Sequence, residues 1–196
     1  MATESLYEAW AKRNPSWEKR YQTTVVDVFC DYGKGVNSFL EARGKIFGAG
    51  YEIFIIAFFI GLYHNRTKPL VKDRDKKKVF GQAIQYWGNI ENRIGRTSYG
   101  NLRRYIFAAL VAKTDIDFIA LDKGEVTLRA VVDKMIEKME EYANYGFDYI
   151  EDKLTNDPNY YFRDAAFLTE ITNMLKKSQT AEDGSNYDED VPESLD

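Results

Sequence analysis

Gly50-Tyr51-Glu52-Ile53-Phe54-Ile55-Ile56-Ala57-Phe58-Phe59-Ile60-Gly61-Leu62-Tyr63 is the stretch on which the fold turns. Between Ile53 and Leu62 no side chain is charged or carries an amide, so a helix here has no polar face. A helix that is apolar all round must be enclosed on every side. At ~1.5 Å of rise per residue the run, even extended back to Phe47, falls short of the about 20 apolar residues that span a bilayer. The expectation is therefore a central buried helix over 49–64. Glu52 near its start, with His64 and Arg66 near its end, suits the helix dipole. Lys68-Pro69 closes the element, because a residue before proline avoids the α region. An aspartate at Ile56 is expected to unfold such a hub through an unpaired buried charge.

Outward from this run, apolar stripes at helical spacing predict an all-α, single-domain irregular bundle of about six or seven helices over 1–178. Ser5 to Arg13 reads as a short helix. Asn14-Pro15 reads as a cap and first turn, followed by a helical stripe through Trp17, Tyr21, Val25, Val28, Phe29 and Tyr32, with Gly33 and Gly35 ending it. The β-branched run Thr23 to Val26 keeps a strand open there. A short helical turn is expected over Val36 to Ala42. Val79 to Trp87 reads as a helix ending at Gly88, 93–101 as a loop, and Asn101 to Lys113 as an amphipathic helix.

Asp115 to Lys123 fits a short helix with Asp115 as its cap, ending at Gly124, or Phe118 to Thr127 fits a hairpin about Asp122-Lys123-Gly124, the helix being preferred. The clearest pattern is Thr127 to Leu154, where Leu128, Val132, Met135, Met139 and Tyr142 alternate steps of four and three. Gly146 falls on the same seam, where the missing side chain permits close approach by another backbone. Val132, Met135, Met139, Tyr142 and Gly146 form a candidate interaction seam. A last helix is expected over Asn159 to Lys177, with Tyr161, Ala165, Phe167, Leu168, Ile171 and Leu175 inward.

The chain has 196 residues with 44% hydrophobic and 30% charged side chains, which excludes a largely disordered protein. Its 14 Tyr and 12 Phe are read mainly as core filling. One cysteine, Cys30, excludes an internal disulfide framework and is read as a buried thiol. With no secretory signal and no transmembrane span, the cytoplasm is the expected location. Of the 31 acidic residues, seven lie in 179–196 with no base among them, leaving 24 against 27 bases elsewhere. That segment reads as a disordered acidic tail, and the remainder as mildly basic.

The chemistry-bearing motifs are few. No phosphate loop of Walker or dinucleotide type is present, and one His with one Cys cannot assemble a zinc site. No cofactor or metal is expected. His64 reads as a helix end and Glu52 as a helix-start partner, while Asp115 and Asp117 have a spacing too common to carry weight. The one positive constellation is basic. Arg66, Lys68, Lys72, Arg74, Lys76, Lys77, Lys78, Arg93, Arg96, Arg103 and Arg104 face only Asp73, Asp75 and Glu91 within 64–104. Clustered cations bind polyanions by releasing counterions, and the interleaved Tyr86, Trp87, Tyr99 and Tyr105 suggest base stacking. The tail is then expected to compete with a bound polyanion.

The glycine-bearing turn at Arg43-Gly44, followed by Phe58-Phe59-Ile60-Gly61-Leu62, resembles the small helical accessory protein of DNA sulfur-modification systems over one short segment. The resemblance implies an accessory role on DNA and transfers no residue role. Three functions follow as expectations. The first is a non-catalytic adaptor with a protein partner or second copy of itself on the seam. The second is a nucleic-acid-binding accessory protein using 66–104. The third is an enzyme whose carboxylates converge only in three dimensions. No membrane partner is expected.

Overall fold

The structure, a computed structural model, describes residues 4–30, 46–90, 97–163 and 165–183, without the side chains of 177–183. The glycine turn at Gly33 and Gly35, the turn of helix at Val36 to Ala42, Arg43-Gly44, Arg93, Arg96 and most of the acidic tail lie outside the described residues.

The apolar run forms α3 (Gly50–Tyr63), with Ala49 and His64 as its end residues. Glu52 closes its start: one carboxylate oxygen accepts the N–H of Gly48 at 2.6 Å and of Ala49 at 3.2 Å. These are donors that helix geometry leaves unpaired. The other oxygen accepts the Tyr99 hydroxyl at 2.6 Å. Burial of Glu52 thus serves the helix start.

Enclosure comes chiefly from α6 (Leu128–Asn156), started by the Thr127 hydroxyl accepting the Ala130 N–H. Two glycines let α3 and α6 cross in backbone contact. A Cβ on Gly61 would lie 2.1 Å from the Tyr142 carbonyl oxygen, and one on Gly146 1.8 Å from that of Ala57. The backbone that Gly146 admits is therefore the hub helix of the same chain. Val132, Met135, Met139 and Tyr142 are all buried beside it. One stripe of α3 is less covered: Ile56, Phe59 and Leu62 are half-buried and Tyr63 is exposed.

Rings fill much of the space around the hub. Tyr51 stacks on Trp87 at 5.4 Å, Phe54 meets Phe80 and Trp87 edge-on, and Trp17 stacks on Phe80 at 5.7 Å. Ring pairs in these geometries add about 1 kcal/mol each beyond the area they bury. Trp10 of α1 (Leu6–Ala11), a helix capped by Ser5 and Glu8, and Ile106 and Leu110 of α4 (Leu102–Lys113) complete this core. A short α5 (Phe118–Asp122) settles the ambiguous segment as helix. Asp117, not Asp115, caps it, and Gly124 at φ 73° ends it.

Three expectations need correction. Asn14-Pro15 starts no helix. The Asn14 amide donates to the Phe80 carbonyl, and the chain enters a strand, β1 (Ser16–Glu18). Only then comes a π-wound turn, Gln22–Val26, running into α2 (Asp27–Phe29). Likewise 79–87 is not one helix but β2 (Lys77–Val79) followed by a 3-10 turn at Ile84–Tyr86. Strands of three residues are too short to print an alternation in the sequence. The last helix, α7 (Ala166–Asp183), starts late, after a 3-10 turn at Tyr160–Phe162, and passes Lys177. Its buried side is Ala166, Glu170 and Met174, while Ala165, Leu168 and Leu175 are exposed. Glu170 turns inward because it accepts the hydroxyls of Tyr149 and Tyr160, with Lys153 Nζ at 3.7 Å.

Candidate functional site: a basic ribbon

β1 and β2 pair antiparallel in the register Ser16↔Val79, Trp17↔Lys78 and Glu18↔Lys77. The Lys19 N–H extends the ladder to the Lys76 carbonyl at 2.8 Å. Before β2, Asp73 accepts the Asp75 N–H at 2.9 Å and starts a single 3-10 turn, Arg74–Lys76. The dense Lys72–Lys78 run is therefore a short structured ribbon rather than a bare loop. Strand pairing also adds a cation that the sequence reading missed, the exposed Lys19. Its only sequence signal was its place beside Arg20, with its partner segment more than fifty residues away.

Charges on and under the ribbon divide by task. Glu18 is buried and accepts from the Val71 N–H at 2.8 Å, Arg20 Nε at 2.8 Å and Asn144 Nδ2 at 3.1 Å. Burial pushes its carboxyl upward, but the three donors outweigh that and hold it below the ordinary range. Asp148 stands in the same network. Its Oδ2 receives Lys68, and its Oδ1 receives Arg20 together with the Tyr21 hydroxyl at 2.7 Å. Again burial raises the carboxyl and the donors, Lys68 first, bring it below its usual value. Arg20 reaches Glu151 as well, at 3.2 Å. Glu140 differs: burial raises it more than the Ser16 N–H, at 2.6 Å, and nearby Lys77 lower it.

The predicted cations accordingly have different fates. Lys68 is spent on Asp148. Arg103 is folded inward, donating to the Gln85 and Trp87 carbonyls. Lys77 is half-buried toward Glu140. Lys78 is exposed and donates to Gln22 Oε1 at 2.8 Å, and Lys76 lies 3.9 Å from Asp73. Lys19, Arg66, Lys72, Arg74 and Arg104 are exposed, with no ion-pair partner among the described residues. Arg104 sits on α4, which shares no hydrogen bond or ion pair with 72–79 among the described residues. The ribbon thus gathers Lys19, Lys72, Arg74, Lys76 and Lys78. Arg66 stands at the head of the segment leading to it.

Beside the network an open groove of about 760 Å³ lies between the π-wound turn (Thr23, Thr24) and the far part of α6 (Asp148, Glu151, Asp152, Thr155). Its lining of hydroxyls and carboxylates does not suit an anion. Among the described residues no three His, Cys, Asp or Glu side chains stand together as a metal site, and no helix is long and apolar enough to cross a membrane. His64 Nδ1 lies 3.3 Å from the Tyr145 hydroxyl, and Cys30 is buried. Comparison with protein-family models, curated proteins and solved structures finds no match to this chain.

Proposed function

We propose that this chain is a binding protein that holds nucleic acid by its phosphate backbone on the β1–β2 ribbon. The observation that carries the reading is the separation of charges just described. Glu18 and Asp148 are tied to internal donors, which leaves Asp73 and Asp75 of the single turn as the exposed carboxylates beside five cations. The lysines and Arg74 stand exposed on the same ribbon. A clustered, solvent-exposed set of cations is what counterion release uses.

A titration of a labelled duplex against the protein at about 50 and about 200 mM salt tests this. For about four phosphate contacts the affinity falls roughly hundredfold between the two. Reversing Lys72, Arg74 and Lys76 to Glu removes the binding while far-UV circular dichroism is unchanged. Binding that ignores salt, or that survives the reversal, removes the reading.

A second reading, an adaptor for another protein, is favoured by α7. With the α6 seam occupied by the hub, α7 still turns Leu168 and Leu175 outward, 65% and 43% exposed, among other exposed apolar side chains such as Phe118 and Ile119 on α5. Light scattering tests the self-association form of it: a strictly monomeric protein leaves only a foreign partner.

A further inference from the structure

Single-strand binders combine two parts: cations that track the backbone and exposed rings on which bases stack. Among the described residues the ribbon carries the first part without the second. From Arg66 to Val79 the chain has no aromatic residue. On the paired strand the ring is Trp17, buried and lying nearly parallel to Phe80 at 13°. Of the rings that looked suited to stacking, Trp87 is fully buried against Tyr51, and Tyr99 gives its hydroxyl to Glu52. Tyr86 and Tyr105 are exposed, but they lie on the 3-10 turn at Ile84–Tyr86 and on α4, not on the ribbon.

The cation types point the same way. Of the five side chains gathered on the ribbon, four are lysines and one is Arg74. A lysine is a flexible point charge, whereas reading a guanine edge takes the planar fork of arginine. Arg20, beside the ribbon, is held by Glu18 and Asp148, and Arg103 on α4 turns its Nη1 to the Gln85 and Trp87 carbonyls.

Resting on the nucleic-acid reading above, we infer that the ribbon is blind to bases: it binds the sugar–phosphate chain alone. Bases add nothing to the contact, and duplex outcompetes single strand only through its higher charge density.

Three fluorescent probes of equal length test this by anisotropy at one low salt concentration: oligo-dT, the same strand made wholly abasic, and a duplex. The two single strands bind within about threefold of each other, because no base is stacked, and the duplex binds more tightly. The exposed variants Lys72→Gln and Lys76→Gln weaken all three probes by the same factor. A stacking contribution of about 1–3 kcal/mol per base would instead favour oligo-dT over the abasic strand by roughly tenfold or more. That result overturns base-blindness and leaves nucleic-acid binding standing. If no probe binds, both fall together. A loss in the variants confined to oligo-dT also overturns base-blindness.

Discussion

Glu18 shows how much one side chain settles. It is a carboxylate in a three-residue strand, yet it is buried because Asn144, the Val71 N–H and Arg20 supply its hydrogen bonds. Glu18→Ala leaves those donors without their acceptor and lowers stability by about 2 kcal/mol, measured by urea unfolding at neutral pH. A loss under about 0.5 kcal/mol would show that the network does not hold the ribbon. The titration of these carboxyls has a defined sign. Glu18 and Asp148 are held below their ordinary values of 4.5 and 3.8, so their stabilisation is present at neutral pH and drains away as pH falls through that range and below. Glu140 has the opposite sign: burial raises its carboxyl, so stability is lost as pH rises from the ordinary 4.5 to the raised value and stays lower at neutral pH. Glu140→Gln, which retains an acceptor for the Ser16 N–H, is therefore expected to raise the neutral-pH urea midpoint. The gain shrinks toward pH 4, where Glu140 is itself protonated; a gain that is flat with pH contradicts this account.

At the level of elements, the crossing of α3 and α6 is set by two glycines, Gly61 facing the Tyr142 carbonyl and Gly146 that of Ala57. Gly146→Ala places a methyl against the Ala57 carbonyl, a backbone atom that cannot step aside as a flexible side chain does. The expected cost is about 3 kcal/mol or more, read as a drop in thermal midpoint. A near-neutral result would mean the helices are not in backbone contact. The hub test also moves. Ile56 is only half-buried, so an aspartate there is milder than sequence alone implies, whereas Ile53 and Phe54 have no exposed surface. α7 offers the sharpest contrast between pattern and packing. Leu168→Ser is expected to cost within about 0.5 kcal/mol, and Met174→Ala about 2–3 kcal/mol, in the same denaturant series. The reverse order would restore the inward face that the leucine spacing suggested. Leucines at helical spacing mark an apolar stripe, but Glu170 and its two tyrosine partners decide which side of α7 turns in.

Over the whole molecule the formal charge is −4, and a basic ribbon exists within that acidic total because most of the acids lie outside 66–79, where Asp73 and Asp75 are the two acids. Five of them, Asp188, Glu189, Asp190, Glu193 and Asp196, follow the end of α7 at Asp183. Truncation after Asp183 leaves the helix whole, which a cut at Gln179 would not. The truncated chain is expected to bind duplex more tightly at low salt, with the difference vanishing at high salt as screening shortens the reach of charge. Equal affinities at low salt would exclude competition by this segment. Legibility also varied across the molecule. The hub, α4 and α6 were visible because long helices repeat their apolar positions many times. β1, β2 and the late start of α7 were not, since each depends on a partner distant in the chain.

The sequence by itself determined that an apolar helix over 49–64 must be enclosed, that a long seam with a bare glycine would press on another backbone, and that cations crowd 66–104. All three follow from local composition and period. Tertiary structure decided which backbone that glycine meets, and which cations remain at the surface. Asn144 meets Glu18 across 126 residues and Lys68 meets Asp148 across 80, pairings that no periodicity encodes. The partner of a charge is set by the packed fold, and so is the surface left over for binding.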